Sequence, residues 1–169
     1  MNIRPETPAD ITSIEQVTYR AFENHPHHEP GAKPTEHRIV ATLREAGALS
    51  LSLICEDDTG IIGHIAFSPI HIDGAACDWY GLGPVSVVPE RQGEGIGGAL
   101  IRESLSVLKA QGAQGVVLLG EPQYYQRFGF QSQPNLTYPG VPAEYFMALS
   151  LADAIPCGEV TYHAAFFTH

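Results

Sequence analysis

The sequence predicts a mixed α/β sandwich whose central unit is β-α-β. Three observations predict it. A β-branched run ending Val85-Ser86-Val87-Val88 passes through a turn with Gly93, Gly95, Gly97 and Gly98 into a segment of helical apolar period. After that helix, Gly115 to Leu119 is a short continuous apolar run, the pattern of a strand buried on both faces. Upstream, two apolar segments are joined by Asp57-Asp58-Thr59-Gly60, a composition suited to a tight antiparallel turn.

In chain order, a short strand is expected near Asn2 to Arg4. Thr7-Pro8-Ala9-Asp10 then supplies an N-cap, a proline at the first helical position and a capping-box-like acid. Ile11, Ile14, Val17, Thr18, Ala21 and Phe22 recur at helical spacing, so a helix to about residue 23 buries that face. His25 to Pro34 contains Pro26, Pro30, Gly31 and Pro34 and reads as a loop. A second helix from Thr35 or Glu36 to Ala46 buries Ile39, Val40 and Leu43, with Gly47 at its C-terminal cap.

Strands at Leu49 to Glu56 and Ile61 to about Ile72 form the hairpin, and a third runs from Trp79 to Val88. The helix from about Gly95 to Ala110 puts Ile101, Leu105 and Leu108 on its core face and Arg102, Ser106 and Lys109 outside, and Gly112 stops it. A short helix at Pro122 to Phe128 and late strands at Tyr145 to Leu151 and Glu159 to Phe166 complete the order β-α-α-β-β-β-α-β-α-β-β.

At 169 residues and 44 % hydrophobic content the chain suits a single domain over 1–169, and nothing marks a linker or a repeat. No run approaches the roughly 20 apolar residues of a membrane span, and the first residues lack the apolar core of a signal peptide, so a cytoplasmic protein away from membranes is expected. Cys55, Cys77 and Cys157 show neither a disulfide framework nor a C-x-x-C pair. Nine Lys plus Arg against nineteen Asp plus Glu, a net charge of -10, argues against a nucleic-acid partner and suits a neutral or cationic substrate. His25-Pro26-His27-His28-Glu29 lies in a proline loop without the spacing of a rigid ligand pair, so no metal is expected.

The glycine turn is the informative feature. Four glycines in six positions let the backbone approach a ligand, and the unpaired amides of a first helical turn attract anions with the positive end of the helix dipole. Gly93-x-Gly95-x-x-Gly98 formally satisfies the dinucleotide pattern, with Glu121 beyond the next strand as a ribose-binding acid. However, Pro89-Glu90-Arg91-Gln92 separates the strand from the first glycine, and only 48 residues remain after Glu121 to finish a doubly wound sheet. A P-loop is excluded, since no Gly-Lys-Ser/Thr follows.

Gln92-x-x-Gly95-x-Gly97 after Val87-Val88-Pro89 resembles the GNAT superfamily of acetyl-CoA-dependent N-acetyltransferases. Downstream, Tyr125-Gln126-Arg127-Phe128-Gly129-Phe130 resembles that family's Tyr-x-Lys/Arg-x-Gly-Phe signature, and the core motifs fall within 79–131. Leu82-Gly83-Pro84-Val85 with Gly120-Glu121-Pro122-x-Tyr124-Tyr125 resembles a bacterial branch described only as predicted N-acetyltransferases. The resemblance implies a mostly antiparallel sheet flanked by helices, with acetyl-CoA on the central β-α-β unit. It implies that the turn Gln92, Gly93, Glu94, Gly95, Ile96, Gly97 and Gly98 binds the coenzyme A pyrophosphate, and that Val85, Val87 and Val88 pair with the pantetheine arm.

The resemblance further implies direct acetyl transfer to a primary amine of a small molecule or peptide in a ternary complex. A backbone amide at the end of the Val87-Val88 strand would polarise the thioester carbonyl, and Tyr125 would protonate the departing thiolate, with Tyr124 second in line. Where several relatives place a carboxylate base this chain has Gly81, leaving Asp78, Tyr80 and His64 as the nearest polar groups. The segment between the first two helices would line the acceptor site and bring Glu23 and Glu29 to an amine. A homodimer through the late strands is compatible with the family. The missing carboxylate keeps open a second class of function, a coenzyme A-binding regulatory or interaction domain without turnover.

Overall fold

A computed structural model describes residues 1–23 and 33–167. Its eight strands run in the order β1-β2-β3-β4-β5-β7, with β8 beside β3 and β6 beside β8. The strands are β1 (Asn2–Pro5), β2 (Leu51–Asp57), β3 (Gly60–Ile72), β4 (Ala75–Val87), β5 (Gly115–Leu119), β6 (Leu136–Thr137), β7 (Phe146–Ser150) and β8 (Gly158–Thr161). Every pairing is antiparallel except β4 with β5 and β6 with β8. The predicted β-α-β unit is therefore present inside a largely antiparallel sheet, and the doubly wound arrangement that a dinucleotide fold requires is absent.

Helices cover both faces. α1 (Ile11–Phe22) and α2 (Glu36–Glu45) pack on one side, and α3 (Ile96–Ala110) on the other. The start of α1 is set as its sequence suggests: Asp10 Oδ2 accepts the Thr7 N–H at 2.7 Å and its hydroxyl at 3.0 Å. Arg4 on β1 grips the same carboxylate at 2.8 Å and Glu56 at 2.9 Å, and the guanidinium holds Asp10 well below the usual carboxylate range. Burial falls on Ile14, Val17 and Thr18 in α1, and on Val40 and Leu43 in α2. Gly47 ends α2 at φ +68°, a conformation glycine adopts without penalty.

α3 sits over the sheet through Ile96, Leu100, Ile101 and Leu108. Gly63 of β3 permits the close approach, because a Cβ there would stand 3.1 Å from both Ile96 and Leu100. Gly115 plays a similar part for Trp79, whose ring atoms lie 2.4 Å from where its Cβ would be.

Three elements depart from the sequence expectation. β4 begins at Ala75 rather than Trp79, because Asp73-Gly74 is a two-residue turn with φ of +51° and +76°, pairing Ile72 with Ala75. The last strand stops at Thr161 and gives way to a 3-10 turn at Ala164–Phe167, instead of running to Phe166. β6, two residues long, carries too little pattern to be read from sequence and is held by pairing with β8. Residues His25 to Glu29, weighed above as a metal or acceptor segment, lie outside the described residues.

Candidate active site

The central unit is pried open at one end. β4 and β5 pair only at Trp79–Gly115, Tyr80–Val116 and Gly81–Val117, although both strands continue beyond that point. The cause lies in β4. Between Leu82, opposite Phe67, and Val85, opposite Ile65, one extra residue is accommodated, so Gly83-Pro84 forms a bulge that bends the strand. Pro84 also has no N–H to offer a neighbour.

Past the bulge, alternation decides which backbone groups are free. The Val88 N–H donates to the Ile62 carbonyl at 3.0 Å, so even-numbered residues here face β3 and the N–H groups of Val85 and Val87 face the gap. The Val87 carbonyl, on that same edge, accepts the Gln92 side-chain amide at 3.0 Å. Val85 and Val87 thus present an unpaired strand edge, whereas Val88 is 3 % exposed with its amide already committed. Val88 lies off this edge, its amide committed to β3 and its side chain buried in the core.

The glycine turn closes the wider end. Gly93 and Gly95 adopt φ of +81° and +85°, and Gly95 is the N-cap of α3. The first helical bond from its carbonyl goes to the Ala99 N–H at 3.0 Å, leaving the amides of Ile96, Gly97 and Gly98 without intrahelical partners. A cleft of about 420 Å³ results, lined by Val85, Val87, Gln92, Gly93, Gly95, Ile96, Gly97 and Gly98. Glu94 is exposed and paired with Arg91 at 3.0 Å.

Three cations line this cleft in a chain of net charge -10: Arg91, Arg102 and Arg127. Arg91 is neutralised by Asp57 and Glu94. Arg102 lies 5.0 Å over the Phe128 ring, Arg127 4.6 Å over the Tyr124 ring, and neither has an ion-pair partner among the described residues. The helical period places Arg102 on the outer face, and the tyrosine motif contains Arg127 without giving it a role. The available signal was position: Arg102 is four residues past Gly98, one helical turn along the same face.

Tyr124 lines the cleft, its hydroxyl 3.5 Å from where a Gly97 Cβ would stand. Tyr125 lies beside it, ring centroids 4.9 Å apart, as the last residue of the helical turn Pro122–Tyr125 that follows β5. Its ring rests on Gly120, where a Cβ would be 2.4 Å from Cε2, and on Phe130. The Tyr125 hydroxyl makes no hydrogen bond to a described residue, and burial pushes the phenol up to about 12.

Of the sequence's candidate bases, Asp78 is exposed and Tyr80 packs in the core on the α3 side. His64 is fully buried, bonded through Nε2 to Ser52 Oγ at 2.8 Å, and burial lowers it to about 4. Ser52 in turn donates to Glu6, which Arg44 grips at 2.9 Å. The chain of contacts is structural in character. Glu121, the would-be ribose acid, is exposed and caps the turn bearing the two tyrosines.

An open strand edge abutting a bare helix N-terminus is the arrangement that the glycine motif and the tyrosine motif together imply. Residues 2–132 match the family model described as an acetyltransferase (GNAT) domain. The chain belongs to the GNAT acetyltransferase family. It is 34 % identical over 173 residues to an Escherichia coli K12 protein described as an uncharacterized N-acetyltransferase, YhbS, covering 98 % of both chains. A GNAT acetyltransferase from Brucella melitensis, solved in complex with acetyl-CoA, superposes with a TM-score of 0.85 at 50 % identity, covering 98 % of this chain and 97 % of that one. The YhbS structure from Escherichia coli, in complex with CoA, gives 0.88 at 35 % identity, covering 98 % and 91 %. The described GNAT fold contains no helix long and apolar enough to cross a membrane.

Proposed function

We propose that this protein transfers the acetyl group of acetyl-CoA to a primary amine by direct attack in a ternary complex. The observation that carries the reading is the juxtaposition of the unpaired Val85–Val87 edge with the partnerless amides of the α3 first turn, in one cleft. Acetyl-CoA supplies the activated thioester. The Brucella and Escherichia coli neighbours solved with acetyl-CoA and CoA support the same donor here.

Each part of the cleft suits one part of that donor. The partnerless amides of Ile96, Gly97 and Gly98, with those of Gly93 and Gly95 in the turn before them, suit a pyrophosphate, and charge-assisted bonds to backbone amides are about twice as strong as neutral ones. Arg102 and Arg127 add cations that have no carboxylate partner among the described residues. The Val85 and Val87 amides suit the pantetheine arm, as an added strand would. Of these, the Val87 N–H stands where the resemblance expects a carbonyl-polarising donor, since the Val88 N–H is engaged by Ile62.

Tyr125 holds the proton for the leaving sulfur. With its phenol raised to about 12, the hydroxyl is fully protonated at neutral pH and has no hydrogen-bond partner among the described residues. As the neutral amine forms the C–N bond and the C–S bond breaks, the thiolate takes the phenolic proton, and the tyrosinate left behind takes the surplus proton of the acylated nitrogen, restoring the phenol. An ordinary alkylamine, of pKa about 10.4, costs about 4.6 kcal/mol to deprotonate at pH 7, so exclusion of water around the nitrogen does part of the work of a base. The test is release of free coenzyme A thiol on mixing protein, acetyl-CoA and an amine, together with calorimetric binding of acetyl-CoA. Binding without thiol release across a broad amine panel would refute turnover.

A further inference from the structure

Of the three arginines lining the donor cleft, Arg91 alone is paired with carboxylates among the described residues, and its two partners hold it unequally. Asp57, the last residue of β2, meets Nη1 and is itself tied down. Its Oδ1 accepts the Thr59 N–H at 2.8 Å and the Thr59 hydroxyl at 2.6 Å, and its side chain is 19 % exposed. Glu94 meets Nε alone, with one oxygen at 3.0 Å and the other at 3.2 Å, from a side chain 47 % exposed. Nη2 has no hydrogen-bond partner among the described residues.

We propose that Arg91 is a further phosphate ligand of the donor site and that Glu94 competes with the donor for it, an inference that rests on reading the glycine turn as the seat of the coenzyme A diphosphate. A bound diphosphate takes the Nε–Nη2 edge of the guanidinium, and Glu94 swings out to solvent. Asp57 keeps Nη1 throughout.

The stereochemistry favours this exchange. The Nε–H and Nη2–H of a guanidinium point the same way and match two oxygens of one carboxylate or phosphate. Glu94 crowds both its oxygens onto Nε and leaves Nη2 unused, so it fills half of that edge. Arg91 lines the cleft and Glu94 does not. Glu94 also has room to leave, since it stands between Gly93 and Gly95, and no atom lies within 4 Å of a Cβ built on either. An exposed ion pair adds little to stability, so the fold loses little when this one opens.

The charges give the exchange its consequence. With Asp57 and Glu94 both against it, Arg91 offers a diphosphate no net positive charge, and Glu94 itself repels one. Acetyl-CoA and coenzyme A carry the same diphosphate, so the competition weakens both alike. Glu94 therefore does not choose between donor and product; it shortens the stay of coenzyme A after transfer, the step that limits many enzymes.

Calorimetry of coenzyme A binding to the wild type, Glu94→Gln, Arg91→Ala and the double variant tests the exchange, with thermal melting as the check on folding. Glu94→Gln is expected to bind about 5- to 10-fold more tightly than the wild type, and the gain falls to about twofold or less in the Arg91→Ala background. Arg91→Lys, which keeps a charge for Asp57 but has no Nε–Nη2 edge, is expected to lose the gain as well and serves where Arg91→Ala does not fold. Dephospho-coenzyme A, which retains the diphosphate and lacks the 3′-phosphate, is expected to show the same gain as coenzyme A. A gain confined to coenzyme A overturns the diphosphate assignment. Equal gains with and without Arg91 make Glu94 a through-space repulsion and overturn the exchange, and unchanged or weaker binding by Glu94→Gln, as for a strut that holds the turn, overturns it too. Failure of the wild type to bind coenzyme A overturns the reading of the glycine turn itself.

Discussion

Replacing Gly97 by alanine separates the stability of α3 from the use of its first turn. Gly97 is the second residue of the helix, and a Cβ built on it stands 3.5 Å from the Tyr124 hydroxyl and 3.9 Å from Val87 Cγ2, both ordinary contacts. The fold therefore accepts the methyl. Alanine exceeds glycine by about 0.8–1 kcal/mol inside a helix; at a first-turn position about half of that is expected, or about 1–2 °C in Tm for a chain of this size. The same methyl stands on the cleft floor, where a phosphate oxygen must come within about 2.9 Å of the amide. Losing one charge-assisted bond costs about 1.5–3 kcal/mol, a 10- to 100-fold rise in Kd. Thermal melting of the ligand-free protein and calorimetry with coenzyme A read the two effects separately. A higher Tm with unchanged Kd would refute the assignment of the glycine turn to phosphate.

Three further outcomes are expected. Tyr125→Phe lowers kcat by about 100-fold with little change in acetyl-CoA affinity, while Tyr124→Phe leaves kcat near normal; stopped-flow or steady-state thiol release checks both, and an unchanged kcat in Tyr125→Phe sinks the acid role. Arg102→Ala with Arg127→Ala raises the coenzyme A Kd by about 10-fold at low salt and flattens its salt dependence, measured by calorimetry from low to high ionic strength. His64, at about 4 when folded and about 6.5 when unfolded, binds its proton more readily in the unfolded chain. Stability is therefore unaffected above about pH 6.5 and falls as pH drops toward 4, by an order of 3 kcal/mol in total; urea unfolding of His64→Gln should lose the slope between about pH 6.5 and 4.5.

The donor half of the site was legible because backbone does its work. Glycines at 93, 95, 97 and 98 after a β-branched strand announce bare amides, and those signals are local in sequence. Side chains that converge from distant elements were not legible. Arg102 and Arg127 reach the cleft from a helix face and a turn, and Tyr162 comes from the end of the chain to fill the space over Gly81. The Gly83-Pro84 bulge, which frees the Val85 and Val87 amides, could be suspected from its residues, but its consequence depends on how far β5 continues beside it. The difference between Val87 and Val88 is not legible for a related reason. Which of two neighbouring amides faces the gap follows from register, and register is set by β3, whose Ile62 takes the Val88 N–H.

The central claim is acetyl transfer from a donor seated on the α3 first turn to an amine across the β4–β5 gap. Mass spectrometry of reactions containing the purified protein, acetyl-CoA and each of a broad panel of primary amines tests it most directly. The account predicts N-acetylated amine and free coenzyme A in equal amounts, both abolished by Gly95→Asp, which puts a carboxylate against the phosphate site. Tight acetyl-CoA binding with no acetylated product from any amine in the panel would contradict it, leaving a coenzyme A-binding domain without turnover.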